Sequence, residues 1–195
     1  MKAIALLVAS ALVGDAAAAH IGSLRVTHRD GDYTVSAVMV LEASPAAVRA
    51  ALTDFAHLDR LSPAIVESRL IRQTPDGPLV YTRSRACVGW ICRQLRKTEL
   101  VTLGEDEIVA VAFPEQSNVE HSVTRWRFAA EGDGTRVEWS SELDPAFFVP
   151  PLIGPALVKR ALRREAEAIA VGLERAARAL AEPPMREPAG PDPDG

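Results

Sequence analysis

The spacing of apolar residues divides the chain into a long β-type region and one C-terminal helix. Between residues 33 and 143, short runs rich in β-branched and aromatic residues are bounded by Gly, Pro and Asp turn residues, which is typical of antiparallel strands. From Pro155 to Leu180, apolar residues instead recur at alternating spacings of four and three, so they share one helix face. That face is formed by Leu162, Ala166, Ile169, Leu173, Ala176 and Leu180. Such an amphipathic helix of about seven turns requires a large apolar partner, which we expect the strands to supply.

One strand and two short helices precede the main run of strands. Tyr33–Leu41 is predicted as a strand, and Ser44 is predicted to cap a helix over Pro45–Thr53. Asp54–Leu61 is predicted as a second short helix, and His20–Asp32 as a polar lead-in with a possible turn at Asp30-Gly31. About six further strands are predicted at Ile65–Arg72, Leu79–Ala86, Arg93–Leu103, Glu107–Phe113, Val119–Ala130 and Thr135–Leu143. This order predicts an α+β fold in which a curved antiparallel sheet wraps around the long helix.

The two ends of the chain differ from the rest. Lys2 is followed by the apolar run Ala3–Val13, and Ala17–Ala19 gives a small-residue cleavage pattern before His20, so residues 1–19 are predicted to be a secretory signal peptide cleaved after Ala19. A retained membrane helix would need about 17–25 apolar residues, and Asp15 interrupts the run too early. We therefore expect an exported protein, in a bacterial periplasm, with one domain over residues 20–181. Residues 182–195 are rich in proline and predicted to be disordered.

Charge and cysteine content narrow the class of protein. The formal net charge is −4, which argues against nucleic-acid binding, because phosphate neutralisation needs a basic face. The two cysteines, Cys87 and Cys92, are separated by four residues, a spacing that suits a β-hairpin. In an exported protein this pair favours a structural disulfide. No metal-ligand cluster or Gly-rich phosphate loop is found, so no cofactor or metal is expected.

Several short segments carry a family resemblance. The first strand is followed by SPAAV at 44–48, LTDF at 52–55 and LSP at 61–63, and WRF at 126–128 and TRV at 135–137 flank a Gly-rich hairpin. With the long C-terminal helix, this order resembles the START-like (SRPBCC) superfamily, also described as polyketide cyclase/dehydrase-like or coenzyme Q-binding-like proteins. The resemblance implies a helix-grip fold with a cavity for a hydrophobic ligand such as a lipid, fatty acid, quinone or polyketide. It carries no universal catalytic residue.

The expected function is therefore a periplasmic binding or carrier protein, and the alternative is a cyclase or dehydratase acting in the same cavity. The expected cavity-lining residues are Phe113, Trp126, Phe128, Trp139, Leu162, Ala166, Ile169 and Leu173, although the aromatic residues also fit an ordinary core. Small residues on the helix, Ala166, Gly172 and Ala176, either leave room for a ligand or allow close packing.

Polar and basic residues indicate possible ligand anchors and a possible membrane contact. Tyr81, Arg83 and His121 are candidate polar anchors for the ligand, and they would be the acid–base or electrostatic groups of the enzyme alternative. All three also fit an outward solvated face. The basic residues Lys159, Arg160, Arg163 and Arg164, at the start of the long helix, fit a solvated helix face, and they also suggest a transient contact with a membrane surface.

Overall fold

A computed structural model describes residues 19–29, 31–88, 91–146 and 154–181. The predicted signal peptide, except Ala19, and the predicted disordered tail lie outside these residues. Within them, no helix is long and apolar enough to cross a lipid bilayer.

The described residues form one antiparallel sheet and two α-helices. The strand order is β1-β2-β8-β7-β6-β5-β4-β3, so β1 and β3 are the edge strands. The strands are β1 His20–Arg29, β2 Asp32–Leu41, β3 Ile65–Thr74, β4 Gly77–Val88, β5 Ile91–Leu103, β6 Glu107–Ala112, β7 Val119–Glu131 and β8 Gly134–Pro145. The helices are α1 Pro45–Thr53 and α2 Gly154–Ala181, with short 3₁₀ turns at Leu58–Arg60 and Pro114–Gln116. This is the helix-grip fold, and it confirms the predicted α+β class.

Two local expectations were wrong. His20–Arg29 is the edge strand β1, and not a polar lead-in. Its pairing with β2 shifts register between Ile21 and Ser23, which breaks the alternation that would have revealed a strand. The second predicted helix is only the 3₁₀ turn Leu58–Arg60. There, the backbone N–H groups of His57, Arg60 and Leu61 donate to the carbonyl oxygens three residues earlier, which is the 3₁₀ pattern and not the α-helical one.

The core lies between the sheet and the two helices. The inward residues of β2, which include Val35 and Met39, are 3% exposed or less, and α2 buries Ala170 and Leu173 completely. Helix α1 begins as predicted, because the Ser44 hydroxyl accepts a hydrogen bond of 3.3 Å from the Ala47 N–H. Cys87 and Cys92 face each other across the β4–β5 hairpin and form a disulfide, as predicted.

Helix α2 passes very close to the backbone that follows α1. A Cβ atom on Gly172 would lie 2.1 Å from the carbonyl oxygen of Leu61. Ala166 and Ala177 on the same helix are fully buried, with no exposed surface. The interpretation that Gly172 leaves room for a ligand is therefore wrong, since this glycine lets α2 approach the Leu61 backbone.

The C-terminal half of α2 is also fixed to the sheet by charge. The carboxylate of Glu174, which is 6% exposed, accepts a hydrogen bond of 2.9 Å from the Glu42 N–H at the end of β2. Arg178 pairs with both Glu174 and Glu42. A buried carboxylate with several donors holds the helix in one position relative to the sheet.

The carboxyl group of Glu165, on α2, makes the stability of the fold dependent on pH. Burial raises the pKa of its carboxyl above the usual value, and a hydrogen bond from Ser62 opposes that rise. Since the pKa is higher in the folded than in the unfolded chain, stability falls as pH rises through that interval. Glu165→Gln should therefore melt at a higher temperature than wild type at about pH 8, and the difference should vanish at about pH 3. Thermal unfolding at both pH values checks this, and a variant that is less stable at the higher pH would contradict it.

Candidate functional site

The face of the sheet that packs against α2, here called the inner face, carries both apolar and polar side chains. Directly opposed residues in an antiparallel sheet point to the same side, so the register assigns each residue to a face. Tyr33 lies opposite Leu143, and Leu143 opposite Ser122. Glu99 lies opposite Val80, which is 2% exposed. The inner face therefore continues from the core into a partly polar region on the central strands.

Helix α2 does not cover the whole inner face. Its backbone runs closest to β1, β2 and β4. On the central strands, the inward side chains of Thr124, Trp126 and Ser141 remain partly exposed, and the Thr124 and Ser141 hydroxyls are 3.1 Å apart. We call this partly exposed part of the inner face, on β5–β8, the central recess.

An ion pair lies at one end of the central recess. The Lys97 ammonium is 2.6 Å from a Glu99 carboxylate oxygen, and the two side chains are 16% and 7% exposed. The Thr82 hydroxyl donates to the other Glu99 oxygen at 3.3 Å, and Lys97 donates to the Ser122 hydroxyl at 3.5 Å. Buried charges need such partners, because taking them out of water costs several kcal/mol per ion. The cluster adds a charged but mutually neutralised pair to the hydroxyl groups of Thr124 and Ser141.

Two tryptophans lie farther along the same strands. Trp126 and Trp139 are stacked, with ring centroids 5.3 Å apart and planes 16° from parallel. The indole N–H of Trp139 has no hydrogen-bond partner within the described chain, and neither has the hydroxyl of Tyr33. Burial raises the pKa of the Tyr33 hydroxyl. The central recess thus combines an aromatic wall with a neutralised ion pair, and Tyr33 lies outside it, on β2.

Most of the predicted cavity-lining residues lie in or against the core. The buried cluster includes Phe128, Trp139, Ala166, Ile169 and Leu173, and Trp126 and Leu162 pack against it. Phe113 is an exception, since it is 37% exposed. It follows Ala112, which is 7% exposed and takes the inward position at the end of β6. The inclusion of Phe113 was therefore wrong.

The three predicted polar anchors lie on the outer face. Tyr81 is opposite Arg69, whose guanidinium lies 4.7 Å from the centre of its ring. Arg83 pairs with Glu67 at 2.9 Å. His121 is exposed and lies 3.7 Å from Glu142. None of them reaches the central recess, because each alternates with an inward residue such as Thr82 or Ser122.

The polar residues that do lie inside were not singled out from the sequence. A signal was present, since Lys97 and Glu99 have the same parity as Val101, which is 4% exposed, along one strand. Charges that share a strand face with core residues indicate a buried pair. Within the described residues, no group of three or more His, Cys, Asp or Glu side chains is arranged to hold a metal ion.

Comparison with known proteins agrees with this architecture. A family model described as polyketide cyclase / dehydrase and lipid transport matches residues 32–180. The chain belongs to this family. No curated protein shows a significant match. The START-like resemblance seen in the sequence is confirmed.

Solved structures that are similar to the chain share its fold. A START superfamily protein from Mycobacterium smegmatis is 18% identical, with a TM-score of 0.61, over 75% of this chain and 98% of that one. The Zhui aromatase/cyclase from Streptomyces is 12% identical, with a TM-score of 0.62, over 77% and 96%. A STAR-related lipid transfer protein from Xanthomonas axonopodis is 15% identical, with a TM-score of 0.60, over 80% and 99%. These likenesses show that the chain shares its fold with these proteins.

Proposed function

We propose that this protein is an exported binding or carrier protein that holds one small hydrophobic ligand in the central recess. The observation that carries the proposal is the composition of that recess, where a stacked tryptophan pair lies beside a buried, mutually neutralised ion pair. Apolar walls with a few fixed polar groups are typical of small-molecule sites. The aromatic wall supplies the apolar contact, and the Lys97–Glu99 cluster orients the polar end of the ligand.

The energy of such a site is dominated by the apolar contact. Removal of about 200 Å² of apolar ligand surface from water contributes about 5 kcal/mol before the costs of association. Stacking on the Trp126–Trp139 pair adds about 1 kcal/mol. Such a balance gives reversible binding, which suits a carrier that must release its ligand.

The enzyme alternative, a cyclase or dehydratase, is less well supported. Tyr81, Arg83 and His121, the residues on which it relied, lie on the outer face of the sheet. The ionisable pair inside the recess is Lys97 and Glu99, and each already serves as the other's counter-ion at 2.6 Å. A group that is held in this way orients a ligand more readily than it exchanges a proton with it.

The export part of the proposal is supported by two features. The first residues have the pattern of a cleavable signal peptide. Cys87 and Cys92 form a disulfide, and disulfides persist mainly in oxidising compartments. We also retain the proposal of a transient membrane contact through the start of α2, where Arg160, Arg163 and Arg164 are all exposed.

A pair of neighbouring serines tests the location of the site. Ser141 points into the central recess, whereas Ser140 points to the outer face, as its pairing opposite Arg125 and Ser36 shows. Ser141→Phe should fill the recess and weaken the binding of the apolar fluorescent probe N-phenyl-1-naphthylamine by about tenfold or more, through loss of contact area. Ser140→Phe should change the affinity by less than about twofold. A fluorescence titration measures both, and equal affinities of the two variants would contradict this site.

A further inference from the structure

The hairpin that joins β4 to β5 concentrates positive charge. Residues 83–98 include five Arg or Lys side chains and no Asp or Glu, in a chain whose formal net charge is −4. Two of the five are neutralised, Arg83 by Glu67 and Lys97 by Glu99. The other three are exposed, and none of them forms an ion pair with a carboxylate of the described residues. These three are Arg85, Arg93 and Arg96. Like charges gathered on one hairpin repel one another, and an anionic partner would relieve that repulsion.

The end of this hairpin extends beyond the neighbouring strands. The Arg85 N–H donates to the backbone before β3 at 2.7 Å, and the Gln94 carbonyl accepts a bond of 2.7 Å from the Asn118 side chain. Beyond these two bonds, the two strands of the hairpin pair only with each other within the described part of the chain. A lone two-stranded hairpin is marginally stable in water, so the disulfide holds this end in shape. We call residues 85–88 and 91–94 the basic hairpin.

The basic hairpin lies at the same end of the molecule as the start of α2. Lys159, near the start of α2, and Thr34, near the start of β2, line one surface groove. The Glu174 carboxylate, in the last part of α2, bonds to Glu42 at the end of β2. Helix α2 therefore begins where β2 begins. Neighbouring strands are antiparallel from β2 through β8, β7 and β6 to β5, so β5 and the basic hairpin also begin at this end.

Positive charge at this end is divided between two groups. The first three turns of α2 carry exposed arginines, as described above, and the strand ends between α2 and the basic hairpin carry Asp32, Glu120 and Asp144. In the sheet, β5 is four strands from β2, which is about 19 Å along the sheet. A single phosphate or carboxylate is too small to contact both groups. An extended anionic surface contacts both, and arginines near an anionic membrane are attracted to its headgroups.

We propose that the basic hairpin is a membrane-docking element, which contacts anionic phospholipid headgroups together with the start of α2. The contact is electrostatic, because the exposed guanidinium groups of Arg85 and Arg93 meet the headgroup phosphates. Lys97 and Glu99 lie on β5 a few residues after Arg93, so docking turns the polar end of the central recess toward the bilayer. The inference rests on the proposed function, since it makes the membrane surface the place where the carried ligand enters or leaves.

Cosedimentation with lipid vesicles tests the docking. Wild type should bind vesicles of equal parts phosphatidylcholine and phosphatidylglycerol better than vesicles of phosphatidylcholine alone, and added salt should weaken this binding because it screens exposed charges. Arg85→Gln/Arg93→Gln should bind the anionic vesicles about tenfold more weakly. The matched control Arg72→Gln/Arg175→Gln removes two exposed arginines at the opposite end of the molecule, and it should change the affinity by less than about threefold.

A charge-preserving variant and the apolar probe separate docking from folding and from ligand binding. Arg85→Lys/Arg93→Lys keeps both charges and should bind the anionic vesicles within about threefold of wild type. Because the basic hairpin lies outside the central recess, Arg85→Gln/Arg93→Gln should bind N-phenyl-1-naphthylamine within about twofold of wild type. Circular dichroism checks that each variant is folded.

Unchanged vesicle affinity of the glutamine variant, or an equal loss in the control at the opposite end, would overturn the inference. So would a lysine variant as weak as the glutamine variant, or equal binding of wild type to neutral and anionic vesicles. Wild type that binds the soluble polyanion dextran sulfate but not the anionic vesicles would also overturn it. In each of these cases the carrier function would stand if wild type binds N-phenyl-1-naphthylamine. Failure of wild type to bind either the vesicles or the probe would overturn both.

Discussion

Replacing Lys97 with methionine should lower the free energy of unfolding by about 3 kcal/mol, because it leaves the Glu99 carboxylate buried with one neutral donor, Thr82. The side chains of the pair are 16% and 7% exposed, so water does little to compensate for the lost ammonium. Most of the lost free energy is expected to come from the unpaired, buried Glu99 charge, and only a small part from the lost attraction between Lys97 and Glu99. Urea or thermal unfolding of the purified variant measures it.

Two further variants separate this explanation from loss of packing. Lys97→Met/Glu99→Leu removes both charges and should recover about 2 kcal/mol of the loss, since apolar residues often replace buried ion pairs at little cost. Arg96→Met changes the neighbouring, exposed cation and should stay within about 0.5 kcal/mol of wild type. A double variant as unstable as the single one would show that Lys97 stabilises the fold mainly through its packing contacts. The unpaired Glu99 charge would then not be the cause of the loss.

Gly172→Ala should destabilise the fold by about 2 kcal/mol, although alanine favours a helix by about 1 kcal/mol over glycine. The new Cβ would lie 2.1 Å from the Leu61 carbonyl oxygen and 2.9 Å from that of Arg60, and these are backbone atoms that cannot rotate away. The helix and the segment after α1 would have to separate, which opens the core around Ala170 and Leu173. Chemical denaturation measures the change.

A neighbouring position on the same turn of α2 provides the control. Val171 is 48% exposed, so Val171→Ala should leave the free energy of unfolding within about 0.5 kcal/mol of wild type. If Gly172→Ala were as stable as wild type, or more stable, α2 would not need to pass so close to the Leu61 backbone. The small residue would then be better explained as space for a ligand.

The sequence predicted the architecture well because the fold depends on patterns that are local in the chain. Each of these elements is specified by its own residues. Strand β2 and the last hairpin show alternation, α1 has the Ser44–Pro45 helix start, and α2 has apolar residues at spacings of four and three. The edge strand β1 was missed because its register shift hides the alternation. Edge strands are half exposed, so their side chains carry a weaker pattern.

The site was harder to predict because it depends on which face of the sheet each residue occupies. Tyr81, Arg83 and His121 attracted attention through their chemistry, but their parity places them outside. Lys97 and Glu99 were not singled out, although they share the parity of Val101, and the register with Val80 and Thr82 shows that they face inward. Whether a donor such as the Tyr33 hydroxyl is paired depends on how the side chains pack, so no sequence pattern predicts it.

Native mass spectrometry of the protein purified without detergent tests the location of the ligand most directly. Wild type and Ser140→Phe should carry an added mass that organic solvent extracts, and Ser141→Phe, with the central recess filled, should carry little or none. Circular dichroism should show that both variants are folded. Equal occupancy in a folded Ser141→Phe variant would place the ligand elsewhere in the molecule and rule out the central recess as its site.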